Sequence, residues 1–288
     1  MRPLLAALGL ALLTSGATAA PALWEARDAD SRVVIFGSVH ALPPDLQWRT
    51  PLLDQAVADA DLVYFETDIG PLGMTALAIK ILVQQFQTMR EPWLDRLTAE
   101  QRDLLMEAIG PLGVSLEEVA ITPPWVVAME LTDLSLRQDE MGGTMDMASG
   151  VESVLQWELP KERKGYFETP GQQFDMLAGG TLDEQIEQLF MTIEDGGIGG
   201  GDEDLGDIVR AWAAGEPEKL EMVPKSDDEA AVLDLLVVQR NRNWIPAIET
   251  MLKDNRENLI VVGAGHLSGE DSVLDLLSEA GYTVTRIQ

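Results

Sequence analysis

The chain of 288 residues contains two histidines, and both stand in the same setting. Gly37-Ser38-Val39-His40 follows the apolar run VVIF, and Gly263-Ala264-Gly265-His266 follows LIVV. A glycine at a strand end lets the chain turn sharply, so an imidazole three residues on emerges at the rim of a sheet. A third apolar run, DLVYF, ends in Glu66. Two neutral imidazoles and one carboxylate make a three-ligand catalytic metal set with a position left for water. On ligand type, His40, His266 and Glu66 suit Zn, Mn, Co or Fe. A metal there lowers the pKa of its water and polarises a carbonyl. The competing reading is that each histidine merely caps a strand end by hydrogen bonding. The choice is tertiary, because the two motifs lie at opposite ends of the chain.

The elements that must position these residues are legible in outline. Leu23–Arg27 and Arg32–Gly37 read as strands joined in a hairpin by the turn residues Asp28-Ala29-Asp30-Ser31. Thr50 as N-cap and Pro51 at the first position open a helix to about Ala60. Asp61–Glu66 has strand length, and Thr67–Gly73 reads as a loop. Helical spacing then dominates, over Met74–Met89, over Leu97–Ile109 with Thr98 and Gln101 at capping-box spacing, and over Pro123–Leu136. Gly142–Asp146 reads as a loop, Val151–Leu159 as a short helix, and Gly165–Glu168 as a brief strand. Gln172–Leu177, Leu182–Ile193 and Leu205–Ala214 read as helices. Asp195–Gly206 is acidic and glycine-rich but lacks calcium-loop spacing, so it reads as a solvated linker. Asp227–Leu252 is the longest helical candidate. Asn258–Gly263 reads as a strand, Gly265–Gly269 as a loop, Asp271–Ala280 as a helix and Tyr282–Ile287 as a strand. With strands at both ends and helices between, the expected fold class is α/β (mixed α+β). A central mixed sheet would be built from the N- and C-terminal segments, with a large helical insert over about 74–257.

Composition narrows the function classes. The chain has 20 Lys+Arg against 49 Asp+Glu, a net charge of −29. Such a surface cannot neutralise a row of phosphates, nor dock by charge on anionic lipid. With no Cys, thiol catalysis, disulfides and Cys-ligated metal sites are excluded. Met1–Ala20 has a basic Arg2, a short apolar stretch and Ala17-Thr18-Ala19 as a small-x-small site, the order of a secretory signal cut near Ala19. Its apolar stretch is too short to span a bilayer. The expectation is a leader over 1–19, a single domain over 20–288, and a periplasmic or secreted chain without stable membrane insertion.

On these residues the chain resembles the TraB/GumN family, relatives of the Tiki metalloproteases of animals. The pieces that carry the likeness are GSVH at 37–40, YFETD at 64–68, GGTMD at 142–146, GYFETPGQQ at 165–173, QRN at 239–241, VVGAGHLSG at 261–269 and GYTV at 281–284. The resemblance implies a mixed sheet with helices, a pocket formed by the two Gly-x-x-His loops, and a metal-dependent peptidase or hydrolase activity. It matches His40 and His266 to the motif histidines, Glu66 to the strand-end acid and Arg240 to an Arg-Asn pair. Glu168 and Gln173 match a Glu-Thr-x-x-x-Gln pattern, and Phe167 stands where Leu is commoner.

Physically, Arg240 can hold a carboxylate or an oxyanion with its bidentate fork, the alternative being a salt bridge on a long helix. Glu168 reads as a general base or as the partner orienting an imidazole, the alternative being a cap of the next helix. Asp146 reads as a loop acid or an N-cap, and Asp68 and Arg242 as surface groups. Trp125, Trp157, Trp212, Trp244 and the 12 Met read as core. The leading expectation is an exported metal-dependent hydrolase, a peptidase, taking a peptide or other small substrate with a divalent metal (Mn, Co or Zn). In this reading Glu66, Arg240 and Glu168 are the catalytic groups. The rivals are a non-catalytic periplasmic binder of haem, metal or peptide, and a metal-free esterase-like hydrolase.

Overall fold

A computed structural model describes residues 19–138, 145–194 and 205–288. Nearly all of the expected leader, Gly142–Thr144 of the glycine loop, and residues 195–204 of the acidic linker lie outside the described residues. The strands are β1 (Leu23–Arg27), β2 (Arg32–Ser38), β3 (Leu62–Phe65), β4 (Lys164–Tyr166), β5 (Asn258–Gly263) and β6 (Thr283–Arg286). They form one mixed sheet in the order β4-β3-β5-β2-β1-β6. β4, β3, β5 and β2 run parallel, and β1 is antiparallel to both β2 and β6. The hairpin between β1 and β2 is fixed as its turn residues require. Asp28 Oδ1 accepts from the Asp30 and Ser31 amides and from the Ser31 hydroxyl.

The helices are α1 (Pro51–Asp59), α2 (Pro71–Arg90), α3 (Ala99–Ile109), α4 (Leu116–Ala120), α5 (Pro124–Gln138), α6 (Val151–Glu158), α7 (Pro170–Leu177), α8 (Leu182–Glu194), α9 (Leu205–Ala214), α10 (Asp227–Leu233), α11 (Gln239–Lys253) and α12 (Val273–Glu279). The caps read from sequence are formed. Thr50 accepts from the Leu53 amide at α1, and Thr98 with Gln101 makes a full capping box at α3. α2 starts earlier than Met74, because Pro71 supplies a first helical position behind Gly70.

Strand alternation sets the layers. Val34, Phe36, Leu259 and Val261 face α1, α6 and α9 through Leu53, Val57, Leu155 and Trp212. Val33, Ile35, Ile260 and Val262 face α11 and α12 through Trp244, Ile248, Val273 and Leu277. Because both faces are covered, the central strands read as unbroken apolar runs. A separate apolar cluster around Trp93, Leu105, Leu189 and Phe190 holds α3, α5 and α8 together.

The middle of the chain is not purely helical, since it sends β4 to the sheet edge beside β3. The long candidate over Asp227–Leu252 is interrupted too. Between α10 and α11 the helix runs through a π segment, Asp234–Val238. Such bulges concentrate at functional sites, and this one ends two residues before Arg240. Among the described residues no helix is long and apolar enough to cross a membrane.

Candidate functional site

The four parallel strands deliver their following residues to one edge of the sheet, the carboxyl end, where open α/β sheets carry ligand chemistry. β2 and β5 are neighbours in register, with Gly37 opposite Val262 and Ser38 opposite Gly263. The two Gly-x-x-His loops therefore leave side by side. β3, on the other flank of β5, ends at Phe65 and releases Glu66. β4 ends at Tyr166 and releases Glu168, whose amide donates to the Glu66 carbonyl. The closeness is measurable at Gly263. A Cβ there would stand 3.2 Å from Glu66 Oε1, 3.5 Å from His266 Cδ2 and 3.8 Å from His40 Nε2. Only glycine leaves this cradle open.

Glu66 and Arg240 form the buried hub. Glu66 Oε1 accepts from the Gly263 amide at 2.7 Å, and Oε2 accepts from Arg240 Nη2 at 2.5 Å. Burial works against the ionised form of Glu66. It is outweighed by His266, Arg240 and His40 and by the Gly263 amide, which hold the carboxyl at about 2. Arg240 spends all five of its N–H donors inside the protein. Nε and Nη2 grip Glu168 at 2.7 and 3.0 Å, and Nη1 donates to the Leu236 carbonyl at 3.0 Å and to His266 Nε2 at 3.1 Å. Leu236 lies in the π segment, so the bulge and the guanidinium satisfy each other. An oxyanion or substrate held by Arg240, the role expected from its sequence, would have to displace one of these partners. The guanidinium has no donor left and serves as the clamp that positions Glu66, Glu168 and His266.

His266 is buried and hydrogen bonded at both nitrogens. Asn241 turns its amide nitrogen to the Asp271 carbonyl at 2.9 Å, which presents Oδ1 to His266 Nδ1 at 2.7 Å. Nδ1 therefore carries the proton and Nε2 accepts from Arg240. Trp244 lies against the ring with centroids 4.5 Å apart. Burial pushes the imidazole down to about 4, with Glu66 opposing and Arg240 and His40 reinforcing. A neutral His266 leaves Arg240, His40 and the Gly263 amide as the groups that keep Glu66 ionised.

His40 has the opposite surroundings. Its side chain is 59% exposed, and Nδ1 lies 3.0 Å from Glu152 Oε1. The Glu152 carboxylate raises the imidazole above its usual range, and solvent at the open ring limits how far. Glu152 is delivered by the segment that docks on this loop. Leu42 and Asp146 pair through both backbone hydrogen bonds, and the Val151 amide donates to the Val39 carbonyl at 3.1 Å. Gly150 sits so tightly that a Cβ would stand 1.9 Å from the His40 carbonyl oxygen. Glu152 is buried in the first turn of α6 and accepts from the Ser38 hydroxyl, but its Oε2 is buried without a hydrogen-bond partner.

Among the described residues, the donor group whose ligand atoms all lie within 4.8 Å of one another is His40, Glu66 and Glu152. His266 does not belong to it. Its Nε2 is 3.6 Å from Glu66 Oε1, but Arg240 already occupies that lone pair. The group that the structure brings together thus has Glu152 where the sequence reading placed His266. Glu152 carried a sequence signal. It stands with Gln156 beside Val151 and Leu155, so a carboxylate sits on the buried face of a short helix.

Other expectations also shift. Glu168 orients no imidazole: it binds Arg240 and accepts from Trp244 Nε1 at 3.0 Å, while Thr169 caps α7. Asp146 is an N-cap, accepting from the Ala148 amide at 2.9 Å. Asp68 is half-buried. It holds the Gly70 amide, and with burial it raises the Tyr166 hydroxyl to about 12. Arg242 is exposed and pairs with Asp271. Trp125, Trp212 and Trp244 are buried, but Trp157 is 74% exposed. Met145 and Met251 are core, whereas Met74, Met89, Met106, Met129, Met147 and Met222 lie at the surface.

The arrangement is that of an α/β protein with a carboxylate-rich, imidazole-flanked site at the carboxyl edge of its parallel strands. The model of the TraB/PrgY/gumN family matches residues 22–286, and the chain belongs to that family. Neither the curated proteins nor the solved structures contain a match to it.

Proposed function

We propose that this chain is an exported metal-dependent hydrolase that cleaves peptide bonds. The observation that supports it most is the convergence of His40, Glu66 and Glu152, whose donor atoms lie within 4.8 Å of one another. Glu152 Oε2, buried with no partner, fits this reading, since an unsatisfied buried carboxylate oxygen costs free energy unless a cation completes it. Imidazole and carboxylate donors suit Mn, Co or Zn. Bound there, a divalent metal supplies Lewis acidity and an acidified water.

The chain's own residues do the remainder. Arg240 keeps Glu66 ionised and aimed by occupying Oε2. Glu152 Oε1 holds His40 through Nδ1, so that Nε2, once a bound cation displaces its proton, would be the ligand atom, the outer-shell pattern typical of metal-bound histidine. Asn241 fixes the tautomer of His266, with Nε2 directed at the hub. The exposed side of His40 is where a substrate reaches the site. A metal-free acid–base pair of His40 and Glu152 is the second reading, favoured by their 3.0 Å contact. Export is supported by the order of charge, apolar stretch and small residues in Met1–Ala20.

The test is metal content by plasma mass spectrometry, with hydrolysis of a peptide library, for wild type, His40→Ala and Glu152→Gln. Wild type should hold stoichiometric metal and lose turnover to a chelator, and both variants should lose metal and activity together. Retention of both in the variants removes the proposal. Chelator-insensitive turnover moves it to the metal-free pair. Tight ligand retention without turnover makes the chain a binding protein.

A further inference from the structure

Among the described residues, α2 is attached to the protein by one face. Leu77 and Ile81 pack against Trp125 and Phe174, Gln84 meets Trp125 Nε1 and the Ala178 carbonyl, and Lys80 binds Asp175. The opposite side carries Ile79, Leu82, Val83, Phe86 and Met89, with Met74 beside it in the first turn, each between 50% and 59% exposed. At roughly 200 Å² for a large apolar side chain, these six offer on the order of 600 Å² of free apolar surface. That is at the upper limit of what a monomer ordinarily leaves uncovered, and most of the ~800 Å² per partner of a standard interface.

Two features identify what covers it. First, Thr75, Ile79, Leu82, Phe86 and Met89 follow one another at alternating spacings of four and three, the seam that a second helix fills. Secondly, no acidic residue occurs between Asp68 and Glu91, in a chain with 49 of them. Depletion of charge at the core of a patch marks a protein interface, and here it removes the repulsion that two chains of charge −29 would meet on any other approach. The same net charge disfavours an anionic bilayer.

We propose that α2 is the contact of a homodimer, in which two copies pack their α2 helices antiparallel about a two-fold axis between Leu82 and Val83. Antiparallel packing sets Phe86 of each copy against Ile79 of the other. It also separates the two basic residues, Lys80 and Arg90, from their counterparts, and it opposes the helix dipoles.

Analytical ultracentrifugation of the full mature chain tests this. Wild type should sediment as a dimer that tightens as salt screens the net charge. Leu82→Glu and Phe86→Glu should weaken association at least ~100-fold, an effect of about 3 kcal/mol, with unchanged circular dichroism because neither side chain supports the fold, and their melting temperatures should no longer rise with protein concentration. Since the chain has no Cys, Leu82→Cys introduces its sole thiol. That variant should form a disulfide-linked dimer on mild oxidation, while Met106→Cys on α3 should not. A monomeric wild type overturns the proposal, as does a dimer that survives both glutamate substitutions. Binding of wild-type monomer, but not of the variants, to phosphatidylcholine vesicles overturns it in favour of a lipid surface.

Discussion

The two Gly-x-x-His loops share their length, their preceding apolar strand and their place on adjacent parallel strands, yet their imidazoles have opposite chemistry. His40 stands at the open side of the site and is drawn towards the charged form by Glu152. His266 is sealed behind Trp244, fixed as one tautomer by Asn241 and held neutral by burial and by Arg240. Equal spacing from a strand end put both rings at one edge. Their neighbours, from α6 in one case and α11 in the other, decided what each ring is for. A repeated motif therefore specifies position, and the residues packed on it specify the role.

Breaking the sealed side should have the largest effect. Arg240→Met leaves the buried Glu66 and the half-buried Glu168 without their cation, and the expected loss is about 3–5 kcal/mol. Arg240→Lys should recover only part of this, since a point charge cannot reproduce a five-donor fork. Urea denaturation measures both, and a lysine variant as stable as wild type would show that the clamp is dispensable.

The two rings should also pull stability in opposite directions as pH changes, in chelated protein. His266 has a folded pKa of about 4, below the unfolded value near 6.5. The unfolded chain binds more protons between those values, so the contribution of His266 is present above pH 6.5 and is lost as pH falls towards 4. That loss is on the order of 3 kcal/mol. His40 is raised, so its contribution is present below pH 6.5 and fades as pH rises past it, and solvent screening keeps it small. Denaturation of His266→Asn and His40→Gln against wild type at pH 5, 7 and 9 resolves the two signs. The same sign in both variants would erase the contrast.

Metal affinity sharpens the comparison further. Glu152→Gln or His40→Asn should lower it by about 100-fold or more, and His266→Asn by about 10-fold, the size of an outer-shell loss. Competitive titration with a chromophoric chelator measures all three, and equal losses at the two histidines would return His266 to the ligand set. The smallest effects should come from the strand-end glycines. Gly37→Ala meets Ala264 and Leu267 at 3.2 and 3.3 Å, and Gly263→Ala meets Glu66 Oε1 at 3.2 Å. Each should cost about 1 kcal/mol, but only Gly263→Ala should also weaken metal binding.

Much of the framework was legible because it depends on local chemistry. The hairpin follows from Asp28 and Ser31, α1 from Thr50 and Pro51, α3 from its capping box, and β5 from an unbroken apolar run. The glycines ahead of the histidines and the acid after β3 were legible for the same reason, as was a brief strand expected over Gly165–Glu168, which lies one register earlier as β4 and ends at Tyr166. Glu152 was harder to see, since nothing in the first turn of a short helix announces that Gly150 lets the chain press against the His40 carbonyl. Trp244 shows the limit from the other side. An aromatic residue at helical spacing reads as core, and it is core, but the surface it covers is the ring of His266. The surface methionines and Trp157 were misread because composition says nothing about which face a helix turns outwards.

The sequence by itself determined the strands, the two histidine turns, the acid at the end of β3 and the family to which they belong. Each of these is encoded within a few residues, by backbone freedom, capping and alternation. Only the tertiary structure decided that Glu152 joins His40 and Glu66, and that Arg240 spends its donors on carboxylates and an imidazole rather than on a substrate. Charge state, tautomer and free lone pairs are properties of what surrounds a side chain, and those surroundings come from segments far apart in the chain.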